Sequence, residues 1–220
     1  CLLSRGLGDV YKRQPMESAW RDSRIGRIYE GTNEINRMLS VGMLVKKSMK
    51  GELDLMDAVM KVASEMTSGK TDDKINPDQP LSEELQKVKN LKKVFLMIAG
   101  TAFQKYGQEL KKNQQTLMGL SDMMIEIYFA ESAILRTVKN KNKGMDMEHQ
   151  IDMTRLYVFD AVEITLKRSK EIIGNIASGS AQLNLIKSVH RMCRFNVLPD
   201  LINLKVRVAD KVIEENSYCF

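Results

Sequence analysis

Residues 27–37, Arg-Ile-Tyr-Glu-Gly-Thr-Asn-Glu-Ile-Asn-Arg, set one acid, Glu30, in a short loop directly before a strong helix start. Tyr29 precedes the acid and Gly31 follows it, and glycine reaches backbone conformations closed to other residues. Thr32 can cap the helix with its hydroxyl, and Glu34 faces the positive end of the helix dipole. Such a loop can aim a carboxylate into a cavity beside free backbone N–H groups. That suits a base acting on a carbonyl compound next to an anionic cofactor. The residues alone leave a plainer reading open, in which Glu30 only helps the helix begin.

No other constellation in the chain carries chemistry of this kind. Di-iron bundles need Glu-x-x-His pairs on facing helices. Here Glu148 and His149 are adjacent and point in different directions, while His190 stands apart, so both histidines read as surface or packing residues. Gly-rich phosphate loops, Gly-x-Ser-x-Gly and paired-cysteine motifs are absent from the sequence. Cys1, Cys193 and Cys219 have no paired spacing, which argues against a disulfide framework or zinc site and for a reducing compartment.

The elements that must position Glu30 are helical. Glycine and proline number only 13 and 4, while lysine, leucine, methionine and glutamate abound. A short helix is expected over 16–28 and a longer one over 33–50, with Ile35, Met38, Leu39, Gly42, Val45 and Met49 on one stripe. Gly42 in that stripe suggests the close approach of another helix, and Gly51 is a stop. An amphipathic segment follows over 53–66, then a polar, proline-punctuated linker over 67–80. Three long helical segments are expected over 82–113, 116–141 and 146–177, and a last stretch over 181–215 is interrupted near Pro199. Helices of this length joined by short loops pack as an antiparallel bundle, with the stripe methionines as core fillers. The fold class is therefore all-α.

The formal charge is +6, unevenly spread. Residues 1–49 carry +4 (nine basic, five acidic), 50–80 carry −3 (four, seven), 81–143 carry +5 (eleven, six), and 144–220 balance. No aromatic residues interleave the middle lysines as a nucleic-acid stacking platform would need, so a solvated helix face is the reading. No apolar run reaches membrane-spanning length.

The run Trp20-Arg21-Asp22-Ser23-Arg24-Ile25, followed by Ile28-Tyr29-Glu30-Gly31-Thr32-Asn33-Glu34-Ile35 and Arg37, resembles the C-terminal signature of acyl-CoA dehydrogenases. The resemblance is close over roughly residues 15–50. It implies that Glu30 is the base removing the α-proton of an acyl-CoA thioester, that Gly31 lies beside the thioester, and that Thr32, Asn33 and Glu34 contact FAD. Residues 1–14 do not resemble the family and look like adapter read-through, which makes the remainder the end of a longer enzyme.

The layout divides as 15–66, the end of the dehydrogenase helical domain; 67–80, a linker; and 81–220, an additional C-terminal helical bundle. In arrangement it resembles the very-long-chain type, in which the added domain supports homodimerisation and contact with a membrane surface. The 53–66 segment is acidic, which favours packing over insertion into anionic lipid. The resemblance implies FAD-dependent oxidation of a long-chain acyl-CoA to its trans-2-enoyl-CoA in fatty acid β-oxidation. It also implies an electron-transfer flavoprotein or similar acceptor, and no nucleic-acid partner. The lysine- and isoleucine-rich composition points to a bacterial cytoplasm, or to the mitochondrion in a eukaryote. This chain alone is expected to be inactive. The alternative is a non-catalytic dimerisation, assembly or membrane-contact module that retains a dehydrogenase-like loop.

Overall fold

The computed structural model describes residues 15–68 and 79–217. The adapter-like reading of 1–14 and most of the expected linker lie outside the described residues. Eight α-helices are present among those described: α1 Pro15–Ile25, α2 Asn33–Met49, α3 Leu55–Ser68, α4 Ser82–Tyr106, α5 Gln114–Asn142, α6 Glu148–Ile176, α7 Gly179–Cys193 and α8 Leu201–Glu215. A 3₁₀ segment, Gly107–Lys112, joins α4 to α5, because Gly107 (φ +51) leaves the helical region where the sequence suggested continuous helix.

The long helices α4, α5 and α6 form the centre, and the α5–α6 pairing is the most extensive. Their inward faces meet in one buried apolar seam. Val88, Leu91, Ile98 and Ala102 of α4 are buried with Leu120, Met123, Ala130 and Ile134 of α5 and with Val158, Val162 and Ile173 of α6. Burying a side chain of this size stabilises by roughly 1.5–3 kcal/mol, so this seam dominates the packing. α7 lies against α4 and α6, and α8 lies against α6.

α2 packs on α5 and α3 packs on α4, and Val41 and Val62 belong to the same buried cluster as the bundle core. At one point α3 and α4 come very close, since a Cβ on Gly100 would stand 2.7 Å from Val59 Cγ1.

The face by which α2 packs differs from the expectation. Val41 is buried and Met38 and Leu44 pack on the core, whereas Ile35, Leu39, Met43 and Met49 are exposed. Nothing stands within 4 Å of a Cβ built on Gly42, so no described helix approaches there. The helix carries apolar residues on both sides: of the expected stripe Met38 packs on the core and Val45 borders an apolar cavity, while Ile35, Leu39 and Met49 face outward. The methionines divide likewise: Met97, Met123, Met147 and Met192 fill the core, while Met43, Met49, Met56 and Met60 face outward.

Candidate functional site

The corner between α1 and α2 is built by three local devices. The end of α1 is closed by Ile28 and Tyr29 amides donating to the Ile25 carbonyl at 2.9 and 3.3 Å. The chain then turns through two successive left-handed residues, Glu30 (φ +56) and Gly31 (φ +93). Glutamate in this region is uncommon and strained at roughly 1–2 kcal/mol, whereas glycine is not. Thr32 then caps α2, its hydroxyl accepting from the Ile35 amide at 3.2 Å, as its sequence position suggested.

Two further bonds lock the turn. The Asn33 amide donates to the Arg27 carbonyl at 3.2 Å, and the Asn36 side-chain amide donates to the Gly31 carbonyl at 2.9 Å. A Cβ on Gly31 would come within 2.8 Å of Asn36 Oδ1, so a larger residue there would, besides the strain of its φ, displace the Asn36 side chain that holds the turn. Asn36 was not singled out in the sequence; an amide five residues beyond a glycine is only a faint signal.

Glu30 is exposed, and so are Tyr29 and Glu34, while Gly31, Thr32 and Asn33 are half-buried. The five residues implied by the resemblance thus come together on one corner. The expected hollow in front of Glu30 is not formed by the two cavities nearest α2. One is an apolar cavity of about 110 Å³ among Val41, Val45, Met56, Phe95, Leu96 and Phe103. The other is a polar groove of about 810 Å³ bordered by Arg37, Thr116, Asp122, Arg168, Glu171 and Asn175. On the elements that meet at the corner, Trp20, Ile28, Tyr29 and Ile35 are each more than half exposed.

The corner is anchored to the bundle through the first two turns of α2. Arg37 pairs with Asp122 of α5, and Asp122 also pairs with Arg168 of α6 at 2.9 Å. Ser40 hydrogen-bonds Ser121 at 2.9 Å one turn further on. These partners are more than 80 positions apart, which is why no local pattern announced them. Among the described residues no group of three or more His, Cys, Asp or Glu side chains could hold a metal ion, and no helix is long and apolar enough to cross a membrane.

A family model described as acyl-CoA dehydrogenase, C-terminal domain, matches residues 90–191. That span lies on α4 to α7, in the bundle and not on the Glu30 corner. A probable acyl-CoA dehydrogenase of Bacillus subtilis (strain 168) is 32% identical over 210 residues, which cover 92% of this chain and 34% of that protein. A crystal structure of an acyl-CoA dehydrogenase complexed with FAD from Bacillus anthracis is similar at a TM-score of 0.91 and 32% identity. It covers 98% of this chain and 37% of that one. The chain therefore spans little more than a third of the relatives it matches.

Proposed function

Because this chain belongs to the acyl-CoA dehydrogenase family, we propose that it supplies the general base of an FAD-dependent enzyme that oxidises a long-chain acyl-CoA to its trans-2-enoyl-CoA. The observation that carries the reading is the Glu30 corner. A glutamate is held in a left-handed conformation next to a capped helix start, on a corner whose elements also expose Trp20, Ile28, Tyr29 and Ile35. A loop acid needed only to begin a helix has no reason to bear that strain.

The residues at the corner fit a flavin. Thr32 and Asn33, half-exposed at the positive end of α2, offer hydroxyl and amide groups that suit the hydroxyls and polar ring edge of FAD, and Glu34 adds an acceptor. FAD, when bound, supplies the acceptor for the hydride that leaves the β-carbon. Glu30 takes the α-proton onto its carboxylate as the carbon–carbon double bond forms, and releases it to solvent after product leaves. The Gly31 backbone, free of a side chain, lets the thioester come close to that carboxylate. Trp20, Ile28, Tyr29 and Ile35 supply apolar surface against which further parts of the enzyme and the acyl chain exclude water.

On the same reading an electron-transfer flavoprotein or similar carrier reoxidises the flavin, and the enzyme works in a bacterial cytoplasm. The test is Glu30→Gln in the longest natural form of the protein that binds FAD. A general base supplies roughly 10²–10⁴-fold, so turnover of an acyl-CoA should fall by about that factor while the bound-flavin spectrum is kept. Near-normal turnover in that variant overturns the assignment of Glu30.

A further inference from the structure

Asn36 grips two consecutive carbonyls at the start of α2. Its side-chain amide donates to the Gly31 carbonyl at 2.9 Å, and its backbone amide donates to the Thr32 carbonyl, also at 2.9 Å. A helical side chain leans back over the turn N-terminal to it, which is how a residue within α2 reaches the corner before the helix. The other bonds at the corner run around the two left-handed residues. The Asn33 amide on the Arg27 carbonyl closes the loop from outside, and the Ile35 amide on the Thr32 hydroxyl caps the helix. Among the described residues, only the Asn36 carboxamide bonds a main-chain group of Glu30 or Gly31.

We propose that Asn36 is the positioning residue for Glu30, a role that rests on Glu30 being the base of the reaction. The Gly31 carbonyl belongs to the peptide unit that joins Glu30's corner to α2. With that carbonyl held, Glu30 keeps one bearing relative to the helix. Without it, the Gly31 dihedrals are free to swing, since glycine meets few steric barriers. The carboxamide also accounts for the pairing of the two residue types. Its oxygen lies 2.8 Å from where a Cβ on Gly31 would stand, so it occupies the side that glycine leaves open. Aspartate would match asparagine in shape but present an acceptor to an acceptor, and an apolar residue would leave the carbonyl to water. Asn36 is itself exposed and outside the buried cluster, so its bond steers the corner more than it stabilises the fold.

The experiment uses Asn36→Asp, which keeps the size of the side chain and removes the donor. An acid near the start of α2 is favoured by the helix dipole, so the urea midpoint of the 220-residue chain should hold. In the same chain the Asn33 amide should exchange with solvent several-fold faster as the turn loosens. In the longest natural form of the protein that binds FAD, kcat for an acyl-CoA should fall by at least about ten-fold, with KM and the bound-flavin spectrum little changed. Added to Glu30→Gln, the same change should slow turnover by less than about two-fold, because the group it aims is gone.

Turnover of Asn36→Asp within about two-fold of wild type, while Glu30→Gln is slow, overturns the positioning role and leaves Glu30 as the base. An effect that multiplies fully with Glu30→Gln overturns it too, since Asn36 would then act on the fold in general. An unchanged Asn33 exchange rate overturns the hold of the carboxamide on the turn. Near-normal turnover of Glu30→Gln alone removes the base, and the role of Asn36 falls with it.

Discussion

Arg37, seven residues beyond Glu30, is held by Asp122, and that same carboxylate holds Arg168 at 2.9 Å from a third helix. One acid thereby fastens α2, α5 and α6 together close to the corner that bears Glu30. Asp122→Ala would leave two arginines without their shared partner. Their side chains are 27% and 34% exposed, so water screens part of the loss, and a cost of about 1–2 kcal/mol is expected. Urea denaturation of the chain measures it, and hydrogen exchange of the 27–36 amides should speed up with it. Unaltered stability and exchange would mean that apolar contacts alone seat α2.

Glu30 is the second point of attack. At φ +56 asparagine is more at ease than glutamate, so Glu30→Asn should stabilise the chain by roughly 0.5–1 kcal/mol. The same change should abolish turnover in the flavin-loaded enzyme. A gain in stability with loss of activity is the expected signature of strain kept for function. A variant no more stable than wild type would show that the left-handed corner costs the glutamate nothing.

At alkaline pH the half-buried Tyr157 and the buried Cys193 should govern stability. Burial, with the hydrogen bond from its hydroxyl to Glu126 at 2.9 Å, pushes Tyr157 up to about 12 from an ordinary 10.0. Burial, with Glu163 nearby, pushes the Cys193 thiol up to about 12 from 9.0. Both folded values are raised, so the unfolded chain sheds these protons first. Their contribution is whole below pH 9.0 and drains away as pH rises toward about 12. Denaturation midpoints followed across that window should fall, and Tyr157→Phe should flatten part of the decline. In a Cys1→Ser, Cys219→Ser background, Cys193 should resist thiol reagents until the chain unfolds; prompt labelling of the native chain would contradict its burial.

Helix spans were legible because their punctuation is local. Thr32 caps α2 as its type suggests, Gly51 and Gly144 sit at helix ends with positive φ, and Pro199 interrupts the last stretch. The start of α4 at Ser82 was legible too, although Leu81 before it takes a left-handed conformation (φ +61) and no side chain caps the helix. The facing of α2 was not legible at all. Ile35, Leu39 and Met43 make as good a stripe as Met38, Val41 and Leu44, and only the bundle decides between them. The Glu30 corner could be read as a motif, but its anchoring could not, because Arg37 and Asp122 are 85 positions apart and an ion pair leaves no periodic trace.

The 17 residues of α2 make a rod of about 25 Å, seated on the bundle along one side and carrying the acid's turn at its tip. A rod of that length magnifies small rotations: a tilt of two or three degrees at the Met49 end displaces the tip by about 1 Å, enough to cost on the order of a hundred-fold in a positioned reaction. If Glu30 acts as proposed, changes in bulk at the contact between α2 and α5 would then detune the rate without touching Glu30 itself.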